Sequence, residues 1–437
     1  MVKTVINAFK VKEIRDRLLF TLAMLVVIRF GSQLPVPGVD RDYFANWFAS
    51  QTGDAFSFFD AFTGGSFLNM SILALNITPY ITSSIIMQLL TIAIPKLEEL
   101  QRDGQDGRKK IASITRYVTV GFALFQSSAM AIGFGRQGLL EDYNALNVIT
   151  VIVAMTAGST FLMWIGEKIT EFGIGNGISI VLVINIISRI PEDLMGLYQQ
   201  FVKGKAIAVA SLSALIILAI ILFTIVLVIL LNAAVRKIPV QYAKKLQGSK
   251  YVGGQTSHIP LKVNTSGVIP IIFASSIMQT PIVIVSLLGV QPTGFWAHIY
   301  NGINSGNWCV PSKIEQSWGL ILYVVMIVLF AYFYTAVTFN PLEISNNMKK
   351  QGGFIPGIRP GKPTSDYLTS VLHYIIFIGA VGLIIISIIP YFFNGVFGAQ
   401  VSFAGTSLII IVSVILETIK QVESKMRVRN YKGFLNN

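Results

Sequence analysis

The sequence predicts an all-α polytopic membrane protein with ten transmembrane helices in two inverted halves of five. Three observations predict this fold class: an excess of apolar residues, ten apolar runs, and a one-sided distribution of Lys and Arg. Apolar residues make up 53% of the 437 residues and charged residues only 13%, with a mean hydropathy of +0.66. A soluble domain needs about 25% charged residues, so most of this outer surface must face lipid rather than water.

Apolar runs long enough to cross roughly 30 Å of hydrocarbon recur along the chain. They are too continuously apolar for alternating barrel strands, so we expect helices. The fifth run opens with Gly-Ile-Gly-Asn-Gly and is expected to be extended at that end. The ten predicted spans are 18–33, 76–94, 117–134, 147–165, 173–190, 207–234, 267–288, 319–339, 367–389 and 403–419.

The basic residues orient these spans. Of the 34 Lys and Arg, 27 fall on the side that carries both termini, so the positive-inside rule predicts two cytoplasmic termini. The first run is too long for a signal-peptide core and has no small-residue cleavage site, and we expect it to stay in the mature protein. The seven basic residues on the outer side are Arg29, Arg41, Arg136, Arg189, Lys203, Lys205 and Lys313.

The second and seventh spans resemble each other. Residues 79–88 and 270–279 share Pro, Ile, Ser, Ile, Met and Gln in register, 191 residues apart. Five spans per half is an odd number, so a repeat of this kind would be inverted, with a pathway at the interface of the halves. The alternative is that apolar helices share letters by chance. Pro79 and Pro270 are expected to bend or split their helices.

Ahead of the second span, residues 60–75 are moderately apolar but interrupted by Gly64 and Gly65. The stretch is too short to cross the membrane, so it is expected to be a re-entrant piece. Such backbone is tolerated at membrane depth only when it is buried in protein or lines a cavity. An ordinary external loop is the alternative.

Several kinds of chemistry lack the residues they need. The single cysteine, Cys309, and the histidines His258, His298 and His373 offer no metal cluster or internal disulfide. No His-Glu-x-x-His, Gly-x-Ser-Gly, Gly-x-Gly-Asp or Walker A motif occurs, so we expect no catalytic residues, cofactor or metal. Residues 133–138 match a dinucleotide fingerprint but end a membrane helix, and we interpret them as a turn. Charges lie at span ends rather than mid-membrane, which favours a gate that excludes ions over an ion-coupled transporter.

Two inner loops are large enough to dock a partner. Residues 236–262 read as strand, turn and strand with six basic and no acidic residues, a surface suited to phosphate-rich partners such as ribosomal RNA. Within the second loop, 341–366, the stretch 349–363 is held open by Gly and Pro and presents Arg359 at its tip. The alternative for both loops is plain topology signalling by basic residues.

Four motifs resemble one family closely, the SecY channel subunits of the bacterial Sec translocon. They are Thr-Glu-Phe-Gly-Ile-Gly-Asn-Gly-Ile-Ser at 170–179, Arg-Lys-Ile-Pro-Val-Gln-Tyr-Ala-Lys at 236–244, Ile-Pro-Leu-Lys-Val-Asn with Gly-Val-Ile-Pro at 259–270, and Gly-Phe-Ile-Pro-Gly-Ile-Arg-Pro-Gly at 353–361. The similarity covers essentially the whole chain.

The resemblance implies a clamshell around an hourglass pore in the bacterial cytoplasmic membrane, with an N-terminal half at 1–190 and a C-terminal half at 191–437. It places a constricting ring on Ile77, Ile81, Ile178, Leu182, Ile272 and Ile410, where Leu182 departs from an all-isoleucine ring but keeps the volume. It places a plug on Phe62, Thr63, Gly64, Gly65, Ser66, Phe67, Leu68 and Asn69. Without the resemblance, the ring residues would be interpreted as ordinary packed core.

The resemblance also implies a lateral gate between the second and seventh spans, hinged between the fifth and sixth. Its candidate residues are Thr82, Ile85, Gln88, Ser275, Gln279 and Thr280. Of these, Thr82, Gln88 and Gln279 are expected to make weak polar contacts across the seam, each worth about 0.5–1.5 kcal/mol; helix packing unrelated to gating is the alternative.

By the same resemblance, the partners are SecE and SecG subunits, the SecA ATPase, the ribosome with its rRNA, signal sequences, nascent polypeptides and membrane lipid. The residues expected to dock SecA or the ribosome are Arg236, Lys237, Lys244, Lys245, Lys250, Arg359 and Lys362. The function implied is passive conduction of secretory polypeptides and lateral release of transmembrane segments. A small-solute secondary transporter with inverted repeats and an intramembrane enzyme are the competing classes; saturable solute uptake by the purified chain would favour the transporter.

Overall fold

The computed structural model describes residues 9–40, 43–44, 60, 63–138, 140, 142–242, 245–247, 250–252, 256–288, 292–398 and 406–435. Helices dominate these ranges, as the composition predicts. The helices are α1 Lys12–Gly31, α2 Thr78–Ala93, α3 Pro95–Arg102, α4 Gly104–Arg136, α5 Ala145–Phe172, α6 Gly177–Phe201, α7 Ile207–Ala233, α8 Ile269–Leu288, α9 Phe295–Ile303, α10 Trp318–Thr338, α11 Pro341–Lys350, α12 Lys362–Phe397 and α13 Thr406–Leu435. The strands are β1 Val235–Tyr242, β2 Lys245–Gln247, β3 Lys250–Val252, β4 Thr256–Lys262 and β5 Gly353–Phe354.

Each of the ten predicted spans contains a helix. Within the described ranges, five stretches are long and apolar enough to cross a membrane by length and composition alone, and α2 with α3 makes a sixth if this pair, bent by 106°, is one span. The five stretches are Gly104–Arg136, Ala145–Phe172, Ile207–Ala233, Pro311–Lys350 and Lys362–Phe397. The protein is therefore a multi-pass helical membrane protein.

The two prolines of the internal repeat start their helices instead of bending them, which corrects the expectation from sequence. Pro79 and Pro270 are each the second residue of their helix, where the backbone N–H has no partner inside the helix and its loss costs nothing. The two helices begin 191 residues apart, at Thr78 and Ile269. Proline inside a described helix occurs elsewhere, for example Pro191 in α6.

Two glycine-rich turns lie where the sequence predicts them. α4 ends at Arg136 and Gly138 has φ +77°, so the apparent dinucleotide fingerprint is a helix-terminating turn. Ahead of α6 the chain is not helical, Gly175 has φ +85°, and the Asn176 side chain accepts a hydrogen bond from the Ser179 N–H at 3.4 Å. The extended start predicted for the fifth span is confirmed.

The first inner loop forms the predicted hairpin: β1 pairs antiparallel with β4, and β2 with β3. The second inner loop adds an unexpected strand, because β5 pairs with the other edge of β1. Ile238 and Leu261 of this sheet are buried against Met348 and Leu368. The two inner loops therefore share one sheet and one apolar core.

The loop between α8 and α10 is folded onto the helices. Trp308 is buried, its indole Nε1 donates to the Gly302 carbonyl at 2.8 Å, and its ring packs against Tyr323 and Tyr391. Cys309 is half-buried, which raises the pKa of its thiol by desolvation. This thiol is consequently a weak nucleophile at neutral pH.

Candidate functional site

A cavity of about 740 Å³ opens between α2, α5, α6 and α8. Along α2 its lining changes from Ile81 through Ser84 to Gln88, which is seven residues or about 10 Å of helix. The lining therefore combines an apolar stretch with a polar one. Such a cavity can hold water along its polar stretch and exclude water along its apolar stretch.

The apolar stretch contains five of the six residues assigned to the constricting ring. The five that line the cavity are Ile81, Ile178, Leu182, Ile272 and Ile410. The sixth, Ile77, is fully buried in the same apolar cluster as Ile81 and Ile178, and Ile81 also contacts the neighbouring cluster that holds Leu182 and Ile410. We call these six residues the collar.

The polar stretch carries paired charges. Arg116 Nε lies 2.7 Å from Glu167 Oε1, and Lys168 Nζ lies 2.8 Å from Glu171 Oε2. All four residues line the cavity. Each of these charges is paired with an opposite one and partly exposed. This stretch is therefore hydrated but produces only a weak net electrostatic field in the cavity.

α6 carries both an apolar and a polar level on one face. Ile178, Leu182, Asn185 and Arg189 are spaced by four, three and four residues, which aligns them along the helix. The first two belong to the collar. The second two, with Ser188, contact residues 60–77, which contain the predicted plug. We call Asn185, Ser188 and Arg189 the plug seat.

Residues 63–77 form successive turns that are largely buried, which disfavours an exposed external loop. The backbone is fixed to the segment after α1: the Val36 N–H donates to the Met70 carbonyl and the Ile72 N–H donates to the Leu34 carbonyl, both at 2.9 Å. On the other side, the Ile72 carbonyl lies so close to Gly158 of α5 that any Cβ there would collide with it. This burial agrees with backbone at membrane depth inside the protein.

Polar contacts join the predicted plug residues to α1 and the plug seat. Arg29 Nη1 donates to the Gly64 carbonyl at 3.3 Å, and Ser188 Oγ, which donates to the Asn185 carbonyl at 2.6 Å, lies 3.5 Å from the Gly64 oxygen. Gly64 has φ +66°, and a Cβ there would lie 2.7 Å from the Asn185 carbonyl oxygen. Thr63, Gly65, Ser66 and Phe67 are buried as well, whereas Leu68 is half-buried and Asn69 exposed. Phe62 lies outside the described residues.

The predicted gate residues do not form the expected polar seam. Thr82 Oγ1 donates to the Thr78 carbonyl at 3.0 Å, and Thr280 Oγ1 donates to the Ser276 carbonyl at 2.7 Å, so both hydroxyls bond to their own helix. Ser275 is buried with its hydroxyl 3.3 Å from that of Tyr323 on α10.

Between the described parts of α2 and α8 there is no side-chain hydrogen bond, so the prediction of such contacts for Thr82, Gln88 and Gln279 is wrong in this structure. Ile85 and Gln88 instead line the cavity, while Gln279 is buried. The physical reason is that the cavity, and not a helix–helix contact, occupies the space between α2 and α8 at this level.

The predicted docking residues lie on or beside the shared sheet. Arg236, Lys237, Arg359 and Lys362 are exposed. Lys244 lies outside the described residues, and Lys245 and Lys250 fall on strands whose side chains are not described. Thr364 Oγ1 donates to the Arg359 carbonyl at 2.8 Å, and Gly357 and Gly361 both have positive φ. The loop therefore holds Arg359 at an exposed, braced tip, as predicted.

Sequence reasoning missed the plug seat. Arg189 was assigned only to a span end, yet its Nη2 lies 2.7 Å from Oδ2 of a fully buried carboxylate, Asp60. Asn185 was not singled out, yet its Nδ2 donates to Asn76 Oδ1 at 3.0 Å. The available signal was the four–three–four spacing from the ring positions on α6.

Comparisons with known proteins agree on one family. The family model described as SecY matches residues 71–419. The protein translocase subunit SecY of Bacillus subtilis is 42% identical over 445 residues, covering 100% of both chains. That of Bacillus licheniformis is 40% identical with the same coverage, and that of Streptomyces galbus is 41% identical with 98% of each chain covered.

Solved structures share the fold at lower identity. A protein-conducting channel superposes with a TM-score of 0.65 at 17% identity, covering 94% of this chain and 93% of the other. Sec61 in a canine ribosome–channel complex from the endoplasmic reticulum gives 0.59 at 16% identity, with 94% and 93% coverage. These likenesses concern the arrangement of the helices.

Proposed function

This chain belongs to the SecY family, and we propose that it forms the channel through which secretory polypeptides cross the bacterial cytoplasmic membrane. Transmembrane segments leave the same channel sideways into lipid. One observation carries this proposal: five collar residues line a single cavity that also has a polar stretch with the charged residues Arg116, Glu167, Lys168 and Glu171. The family is one of translocase subunits rather than enzymes, and the driving energy comes from the SecA ATPase or a translating ribosome.

The proposed architecture is a clamshell of ten spans, with one half at 1–190, the other at 191–437, and both termini in the cytoplasm. The inverted relation is supported by the equivalent starts of α2 and α8, 191 residues apart. The orientation is supported by the 27 of 34 Lys and Arg on one side. SecE and SecG are the proposed companion subunits.

The collar is proposed to seal the resting pore. Water confined among apolar side chains loses hydrogen bonds, so ions and solutes do not enter. An extended polypeptide can still slide through because the collar offers no directional contact that would hold it. The plug, placed at residues 62–69, closes the path on the outer side of the collar.

The lateral gate is proposed to lie between α2 and α8. The side chains that line the cavity from these helices include Ile85 and Ile269, so a signal sequence entering here would meet mainly apolar groups. Apolar segments of roughly 20 residues can then partition into lipid, while polar segments continue through the collar.

The cytoplasmic sheet is the proposed docking surface for SecA and the ribosome. β1 and β5 bring the exposed Arg236 and Lys237 into one unit with the loop that carries Arg359. Basic groups on a folded protrusion suit acidic protein surfaces and rRNA phosphates.

Site-specific crosslinking tests the path of the polypeptide. A photoreactive residue at Ile81 or Ile272 should crosslink to a secretory chain stalled in transit, because both positions line the cavity. The matched control is Leu124 on α4, which is apolar and exposed on the outside of the helices. Equal crosslinking at Leu124, or none at either collar position, would refute the proposed path.

A further inference from the structure

The predicted plug is fixed to α6 by a buried ion pair. Arg189 Nη2 lies 2.7 Å from Asp60 Oδ2, and the Asp60 side chain is fully buried while that of Arg189 is 19% exposed. Removing one partner of such a pair leaves a charge without compensation in a poorly solvated place. The ion pair therefore stabilises the position of Asp60 only while both side chains stay in contact.

Asp60 also organises the turn that follows it. Its Oδ1 accepts a hydrogen bond from the Leu68 N–H at 3.0 Å, and its carbonyl accepts one from Thr63 Oγ1 at 3.1 Å. Thr63 Oγ1 in turn accepts from the Phe67 N–H at 3.2 Å. A displacement of residues 63–68 is consequently transmitted to Asp60 and to its contact with Arg189.

A second polar contact fixes the other end of the segment. Asn185 Nδ2 donates to Asn76 Oδ1 at 3.0 Å, and Ser159 Oγ of α5 donates to the Asn76 carbonyl at 3.0 Å. Asn76 itself has φ +51°, a conformation that needs support from its surroundings. The segment is thus held at both ends by side chains one turn apart on α6.

Arg189 has a second carboxylate within reach. Its Nη1 lies 2.9 Å from Glu192 Oε2, and Glu192 is 69% exposed. When the plug leaves, Arg189 keeps this exposed partner, and only Asp60 must find new solvation. The ion pair can therefore open and re-form without leaving the arginine unpaired.

We propose that Asp60 and Arg189 form a reversible latch that holds the plug closed, with Asn185 as a second positioning residue and Glu192 as the acceptor that supports Arg189 after release. This proposal rests on the proposed channel function. In this proposal, side chains of α6 determine how readily the plug opens.

Thiol accessibility in proteoliposomes tests the latch. In a Cys309→Ser background, Ser66→Cys places a thiol in the plug at a position that is buried at rest. Labelling by a membrane-impermeant thiol reagent then reports the open fraction. Arg189→Gln and Asp60→Asn should each speed labelling by at least about tenfold. Arg189→Gln leaves the buried Asp60 carboxylate without its partner, and Asp60→Asn removes the attraction between Arg189 and the plug segment.

Three further variants separate a latch from general destabilisation. The Asp60→Asn/Arg189→Gln double variant should label no faster than either single variant, since the coupled interaction is lost once and no unpaired buried carboxylate remains. Arg189→Lys should restore slow labelling. Glu192→Gln should slow labelling by about two- to threefold, because exposed pairs are weak. Arg189 contacts both carboxylates when the plug is in place and only Glu192 after release, so the loss of Glu192 disfavours the released state more than the closed one.

The control is Lys203→Gln, which removes an exposed outer positive charge and should leave labelling unchanged. Additive effects of the two single variants, or faster labelling with Glu192→Gln, would overturn the latch. If labelling is insensitive to Arg189→Gln while stalled chains still crosslink at Ile81, the latch is wrong and the channel stands. If crosslinking fails as well, the proposed function is wrong.

Discussion

The collar and the plug seat stand on the same face of α6, with Leu182 and Asn185 only three residues apart, yet they are built from opposite chemistry. Leu182 packs in an apolar cluster with Ile410, whereas Asn185 and Arg189 form a hydrogen bond and an ion pair to the plug segment. Apolar contact is non-directional and persists as its members shift. Polar contact depends on distance and angle and is lost over a short displacement.

This difference suits the two parts to different tasks. The proposed seal would have to deform around many polypeptides, and contacts without a geometric requirement allow this. The proposed plug would be either in place or displaced, and directional contacts that are lost together allow this. Substitutions that change one of these two chemistries at a time test whether the two regions differ in this way.

The largest effect is expected from making the collar polar. Ile81→Asn with Ile272→Asn should raise the resting ion conductance of the purified channel in planar bilayers by about a hundredfold, because the amides stabilise water among the apolar side chains. Leu182→Ile keeps the volume and should stay within about twofold of the parent. Unchanged conductance in the Asn double variant would remove the collar from the sealing mechanism.

A smaller effect is expected from crowding the plug seat. Gly64→Ala adds a Cβ at a residue with φ +66°, 2.7 Å from the Asn185 carbonyl oxygen. The left-handed backbone alone costs about 1–2 kcal/mol; the added collision should unseat the plug and raise resting conductance about tenfold.

Gly138→Ala is the matched control for this change, because its φ is +77° and a Cβ there meets nothing within 4 Å. It carries the backbone cost without the collision. Equal conductance in the two variants would mean that the seat does not depend on close contact at Gly64.

The smallest effect on resting conductance is expected from a change in the loop 341–366, which contacts neither the collar nor the plug seat. Arg359→Glu should leave resting conductance within about twofold, while SecA-driven export falls about tenfold because the charge at a docking contact is reversed. Lys349→Glu, an exposed residue of the same loop region, provides the same charge change away from the tip. Normal export by Arg359→Glu would exclude this tip from docking.

The sequence predicted the helical class, a helix in every span, the hairpin and the exposed tip at Arg359, because hydropathy and turn chemistry are local properties. The collar positions followed from the resemblance, and five of the six indeed line one cavity. Burial alone would not have separated them from other core isoleucines, since an apolar constriction and an apolar core have the same composition.

What could not be predicted depends on contacts between distant parts of the chain. Asp60 and Arg189 are 129 positions apart, and nothing local to either marks the other as its partner. Ser275 was predicted to lie at the seam between α2 and α8, but its hydroxyl lies 3.3 Å from that of Tyr323 on α10. The prolines at the starts of α2 and α8 were misinterpreted because a hydropathy run does not reveal where inside it the first helical turn begins.

The strand pairing between β1 and β5 has a mechanical consequence. β1 directly follows α7, and β5 lies between α10 and α12, so the three strands clamp two distant stretches of the second half together. If SecA or a ribosome binds either loop as proposed, the sheet couples that loop to the other one, and a force on it is transmitted to α7, α10 and α12 together.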